Sequence, residues 1–201
     1  WMLPIGPVHD IIAVIEAAGG IVLRRDLGSP RITAISIRPP IPGARPTFLL
    51  NEGFSADRDR FTLAHEIGHL IMHELPRETA EREADRFASE FLMPASEIRP
   101  QLVNIDLAKA ATLTRYWKTS MASIIRRARD LNVITEQRYK SLVVQMSQRG
   151  FTRSEPVDIP REKETVVDQI ISIHLNKHRY TTSELARVAA RSEEHTSELQ
   201  S

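Results

Sequence analysis

Residues Phe61–His73 read FTLAHEIGHLIMH, and within them His65-Glu66-Ile67-Gly68-His69 is an H-E-x-x-H. On an α-helix, positions i and i+4 stand one above the other on the same face. Both imidazoles can then reach one metal ion, with Glu66 next to the first of them. Zinc takes imidazole nitrogens at about 2.0–2.1 Å, and a catalytic zinc keeps one position open for water. The motif is short and also arises by chance, as a helix with two surface histidines. Its neighbours argue for the metal. Phe61, Leu63, Ala64, Ile67, Leu70, Ile71 and Met72 put apolar groups almost all round the segment, the pattern of a buried helix. Titratable groups are costly there unless paired or metal-bound. Gly68 costs about 1 kcal/mol against alanine inside a helix, so it answers a need for close approach.

Two histidines do not complete a site. His73 continues the i+4 series, but eight residues at 1.5 Å rise place it about 12 Å from His65 along the axis. One ion cannot span that, so His73 reads as a supporting, rim or structural group. The better third ligand lies in Glu78–Met93, ETAEREADRFASEFLM, a strongly helical stretch. Glu81 and Asp85 are i, i+4 there. A second helix beside the first could present Glu81 to the ion, while Asp85 accepts the other ring N–H of a bound histidine. Glu83 and Glu90 compete, but Glu83 points elsewhere on the helix and Glu90 lies far along it. Glu66 is then the general base of a peptide hydrolysis.

Arg60 to Pro94 resembles the ImmA/IrrE family of metallopeptidases. The residues that carry the likeness are RFTLAHEIGHLIMH and then EREADRFASEFLMP. Together they are far more specific than the histidine motif alone. The likeness is strong over Val8–Pro94, weaker to about Ser147 and thin beyond. It implies an α+β, zincin-like metallopeptidase domain: a small mixed sheet and a metal-bearing helix pair, followed by a helical region. It implies His65, His69 and Glu81 as zinc ligands and Glu66 as the catalytic acid/base. It also implies a cytoplasmic zinc endopeptidase of bacteria that cleaves a helix-turn-helix repressor and so derepresses its genes. The alternative is a DNA-binding or partner-binding regulator with a structural or vestigial metal site.

The composition sets limits. Among 201 residues, 27 are basic and 26 acidic, for a net charge of +1. No basic excess points to nucleic acid. There is no cysteine, which excludes disulfides and thiolate metal sites. No run approaches the ~20 apolar residues of a membrane span.

Around the motif, Pro7–Ala18 has helical spacing, and Gly19-Gly20 stops it. Ile21–Arg24, Arg31–Arg38 and Thr47–Asn51 read as strands, with Ile35 and Ile37 on one face of the second. A sheet edge could take an extended substrate by strand addition; by sequence proximity the strand nearest the metal is Thr47–Asn51. The stretch LAKAATLTRYWKTSMASIIRRARDLNVI has the feel of a helix-turn-helix, and Arg126, Arg127 and Arg129 make it basic. A packing module with a solvated face is the favoured reading over DNA binding. Trp117, Tyr116 and Tyr139 read as core. His174 and His178, also i, i+4, lack the glutamate of the motif and read as a surface pair.

The organisation expected is a catalytic domain over 1–94, a helical, helix-turn-helix-like region over 95–149, and a linker with C-terminal helices over 150–190. Residues 191–201, RSEEHTSELQS, look like a translated sequencing adapter and carry no weight. A start at Trp1 suggests that native sequence precedes it, and the native chain is expected to continue past Ala190.

Overall fold

The computed structural model describes residues 6–39, 41, 43–73, 75, 77–185 and 187. The expectations about residues before Trp1 and about 191–201 lie outside them. Two compact units divide the chain, at Lys163 and Glu164.

The first unit opens with helix α1, Ile11–Ala17, capped by the Asp10 carboxylate on Ala13 N–H at 2.8 Å. Its Ile11, Ile12 and Ile15 are buried. Gly19, at φ +89°, takes the left-handed turn that ends the helix. Three strands follow: β1 Ile21–Arg25, β2 Ala34–Ile37 and β3 Thr47–Asn51. The sheet order is β1-β3-β2. β1 runs parallel to β3, with Ile21 opposite Thr47, and β2 runs antiparallel to it, with Ser36 opposite Phe48. The sheet is therefore mixed, and β2 is an edge.

Helix α2, Ala56–Met72, crosses this sheet and carries the histidine motif; helix α3, Ala80–Leu92, returns beside it. The first core joins Ile11, Ile12 and Ile15 to Val22, Phe48 and Leu50 and to Leu63, Ala64 and Ile67 of α2. The apolar wrap of α2 does not extend to its end, because Ile71 and Met72 are exposed. Beyond Pro94 the chain is helical. α4 (Ala95–Ile98) leads through a 3₁₀ turn at Arg99–Leu102 to α5 (Leu107–Trp117), α6 (Met121–Asp130) and α7 (Glu136–Gln148). Asp106, Ser120 and Thr135 cap the last three through their side chains. Trp117 is fully buried among them, Tyr116 is exposed and Tyr139 is half-buried.

Two arginines fasten the layers. Arg60 is buried, pairs with Glu162 and donates to the carbonyls of Lys118 and Val8. Arg127, also buried, pairs with Glu90 and donates to the Met93 carbonyl at 3.1 Å. Residues 151–163, rich in turn formers, are held by their carboxylates. Glu155 accepts from Met121 N–H at 2.7 Å and Ala122 N–H at 3.2 Å, at the start of α6. Glu162 accepts from Ile11 N–H at 2.9 Å and Ile12 N–H at 3.2 Å, at the start of α1. Each carboxylate satisfies backbone donors that a helix start leaves open.

In the second unit, helix α8 spans Val166–Asn176 and buries none of its residues. The rings of His174 and His178 lie 5.4 Å apart, and His174 Nδ1 donates to the Ile170 carbonyl at 2.8 Å.

The fold is α+β, a small three-stranded mixed sheet followed by a helical region.

Candidate metal centre

α2 and α3 approach closely because small residues meet at their seam. A Cβ placed on Gly68 would stand 3.2 Å from Ala84 Cα and 3.1 Å from Phe87 Cδ1. Ala84 and Ala88 face the same seam and are fully buried. On α3, positions 81, 84, 85 and 88 share one face. The side chains of Glu81 and Asp85 thus emerge along the edge that α2 presents through His65 and His69.

The result is a convergence of three donor side chains. His65 Nε2 and His69 Nε2 are 2.9 Å apart. Glu81 Oε2 is 3.4 Å from His65 Nε2, and Glu81 Oε1 is 3.3 Å from His69 Nε2. Donors held at zinc distances and tetrahedral angles stand roughly 3.3–3.4 Å apart, so the set has the dimensions of one ion. Among the described residues this is the one group of three or more acidic or histidine side chains with such convergence. Glu83 and Glu90 are elsewhere. Glu83 pairs with His73, and Glu90 with Arg127.

The protons on the rings agree with this. Asp85 Oδ1 is 2.9 Å from His65 Nδ1. A carboxylate only accepts, so His65 Nδ1 carries the hydrogen and a neutral ring leaves Nε2 as a bare lone pair. That lone pair faces Glu81, a second acceptor. Acceptors aimed at one another without a hydrogen between them call for a cation. Glu81 is 82% exposed on its side chain, whereas His65 is 17% exposed. The donor set therefore lies near the surface, with its carboxylate the most exposed of the three side chains.

Glu66 sits on the adjacent face of α2, where the Ser36 hydroxyl donates to its Oε2. Ser36 comes from β2. The strand beside the site is thus β2, not the expected Thr47–Asn51, for a plain reason: β3 is the central strand, with β1 on one side and β2 on the other. Sequence proximity does not set sheet order. Within β2, Ala34 and Ser36 are half-buried while Ile35 and Ile37 are exposed. The only sequence signal for Ser36 was its place between two isoleucines in a strand of period two. Arg38 continues on the side of Ser36 and donates to the Leu70 carbonyl of α2.

A cavity of about 430 Å³ opens beside Arg38, lined by Ile41, Ile67, Leu70 and Ile71 among others. A larger one, about 1040 Å³, lies between the start of α2, helices α6 and α7 and the segment 151–161. It contains none of His65, Glu66, His69 or Glu81.

A family model described as the IrrE N-terminal-like domain, Peptidase M78, matches residues 15–129. The chain belongs to this family. No curated protein matches it. The matched region runs from within α1 to near the end of α6, and so takes in the sheet, both histidines, Glu81 and Asp85. Membership of Peptidase M78 supports a function of the metallopeptidase type and a protein substrate. No helix among the described residues is long and apolar enough to cross a membrane.

Proposed function

We propose that the protein is a zinc-dependent endopeptidase whose ion is held by His65, His69 and Glu81. The observation that carries this reading is the meeting of three donor side chains from two helices: the two Nε2 atoms lie 2.9 Å apart, and each lies within 3.4 Å of one Glu81 oxygen. A bound zinc ion supplies Lewis acidity to a scissile carbonyl and lowers the pKa of water. The remaining work falls to the chain. Glu66 takes a proton from the attacking water and returns it to the leaving amine. Ser36 occupies Oε2 of Glu66, so Oε1 is the atom that carries the proton. Asp85 holds the His65 ring in the orientation that points Nε2 at the site.

The substrate enters as an extended segment along the outer margin of β2. An edge strand offers unpaired N–H and C=O groups to such a segment, and Ser36 places this edge at the base. The cavity beside Arg38 gives an apolar side chain somewhere to go. The resemblance to the ImmA/IrrE family points to a helix-turn-helix repressor as the substrate, which would put the reaction in the cytoplasm.

The DNA-binding alternative draws its support from the arginines of α6. Arg127 is spent inside the protein, on Glu90 and Met93. Arg129 pairs with Asp130 and stacks 4.4 Å over the Tyr139 ring. Of the three, Arg126 alone stands mainly in solvent, its Nε 4.0 Å from Asp130, and one exposed arginine is a thin basis for groove binding. The test is incubation of the zinc-loaded chain, and of Glu66→Gln, with a candidate repressor, with zinc content measured in parallel. Cleavage by the first and none by the second, at equal zinc, is expected. An intact repressor in both would end the endopeptidase reading.

A further inference from the structure

The two histidines of the motif are held from behind in different ways. His65 meets a carboxylate directly, through Asp85. His69 meets a third histidine: its Nδ1 lies 3.0 Å from His73 Nδ1. His73 Nε2 in turn lies 3.0 Å from Glu83 Oε2, and Glu83 Oε1 accepts the Thr79 hydroxyl at 2.8 Å. The His73 side chain is 5% exposed, while Glu83 stands half in solvent.

With both rings neutral, the chain of contacts fixes where each hydrogen sits. The Glu83 carboxylate accepts only, so His73 carries its hydrogen on Nε2. A neutral His73 then offers a bare Nδ1 to its neighbour. The hydrogen between the two rings belongs to Nδ1 of His69, and the Nε2 lone pair of His69 is left facing His65 and Glu81. Had Glu83 been absent, either ring could have donated to the other.

We propose that His73 and Glu83 are positioning residues that lock His69 in the tautomer able to bind a metal ion. The proposal rests on the metal-centre reading given above, and extends it from the three donor side chains to the end of α2 and the first turn of α3. It gives the residue at i+8 of the motif a role that its distance from His65 denies it as a ligand.

The test uses the full chain with ¹⁵N-labelled histidine. Metal-free protein is examined by long-range ¹H–¹⁵N correlation, and zinc affinity is measured by competition with a chromophoric chelator. His69 of the wild type should show one tautomer, with the hydrogen on Nδ1. His73→Phe and Glu83→Ala should each give a tautomer mixture and zinc binding weaker by about 10- to 100-fold. His73→Asn should restore both, because the asparagine Oδ1 sits near the place of the histidine Nδ1 and accepts without help. Adding Glu83→Ala to His73→Asn should then change little. An unchanged His69 spectrum in His73→Phe and Glu83→Ala, with zinc affinity within about twofold of wild type, would overturn the proposal. Failure of the wild type to bind zinc would instead overturn the metal-centre reading; the tautomer of metal-free His69 would still decide this one.

Discussion

The Ser36 hydroxyl, on the outermost strand of the sheet, donates to the carboxylate of Glu66 on the metal helix. Glu66, the base of the proposed reaction, is thereby fixed relative to anything that strand holds. Replacing Ser36 by alanine removes a hydrogen bond to a charged group, worth about 1.5–3 kcal/mol. We expect kcat/KM to fall roughly tenfold or more, with zinc content unchanged. Steady-state kinetics beside metal analysis will show it. Equal loss of activity and zinc would remove Ser36 from the catalytic account.

Asp85 should act on the metal rather than on the chemistry. Asp85→Asn keeps the shape but turns an acceptor-only group into one that can donate. We expect zinc affinity to drop about 10- to 100-fold, and activity to return at saturating zinc. Chelator competition and zinc titration of the rate measure the two effects separately.

Gly68→Ala sets two effects against each other. The helix gains about 1 kcal/mol of propensity, but the new methyl meets Ala84 Cα at 3.2 Å and the Phe87 ring at 3.1 Å. Ala84 Cα is backbone and cannot swing aside, and overpacking of this kind costs about 1–3 kcal/mol. A net loss of stability is expected, together with weaker zinc binding as α3 is pushed from α2. Urea unfolding and zinc competition test both. A more stable variant would show the seam to be looser than described.

Glu90 makes acid sensitivity visible. Burial raises its pKa, but the Ala95 N–H bond and Arg127 outweigh that, and the net shift is downward. A depressed carboxyl contributes stability that is present above the ordinary glutamate pKa and lost as pH falls through the lowered value. Between neutral pH and about pH 3, Glu90→Gln should therefore lose less stability than the wild type does. Urea midpoints at the two pH values give the comparison, and parallel curves would contradict it.

How far the residues alone led depended on whether a feature was local. The i, i+4 spacing of His65 and His69, the matching spacing of Glu81 and Asp85 and the extent of β3 are each set within a few residues. The partner of Glu66 was not legible. Ser36 reaches it because β2 pairs outside β3, and a chain that places its second strand third leaves no local mark of doing so. His73 was rejected as a ligand by a length argument, but nothing in the spacing showed that Glu83 would turn to meet it. The inward course of Arg127 was equally hidden, since an arginine on a basic helix looks the same from the sequence whether it faces solvent or Glu90.

The segment 151–163 has no helix or strand, yet it tethers two helix starts that lie more than a hundred residues apart in sequence. Cutting the chain after α7, at what looks like a natural break, would strip α6 of Glu155 and α1 of Glu162, and take from the buried Arg60 its ion-pair partner Glu162. Anyone trimming this protein for expression should keep everything through Lys163. A shorter piece would retain His65, Glu66, His69 and Glu81 and yet lose the brace behind α2.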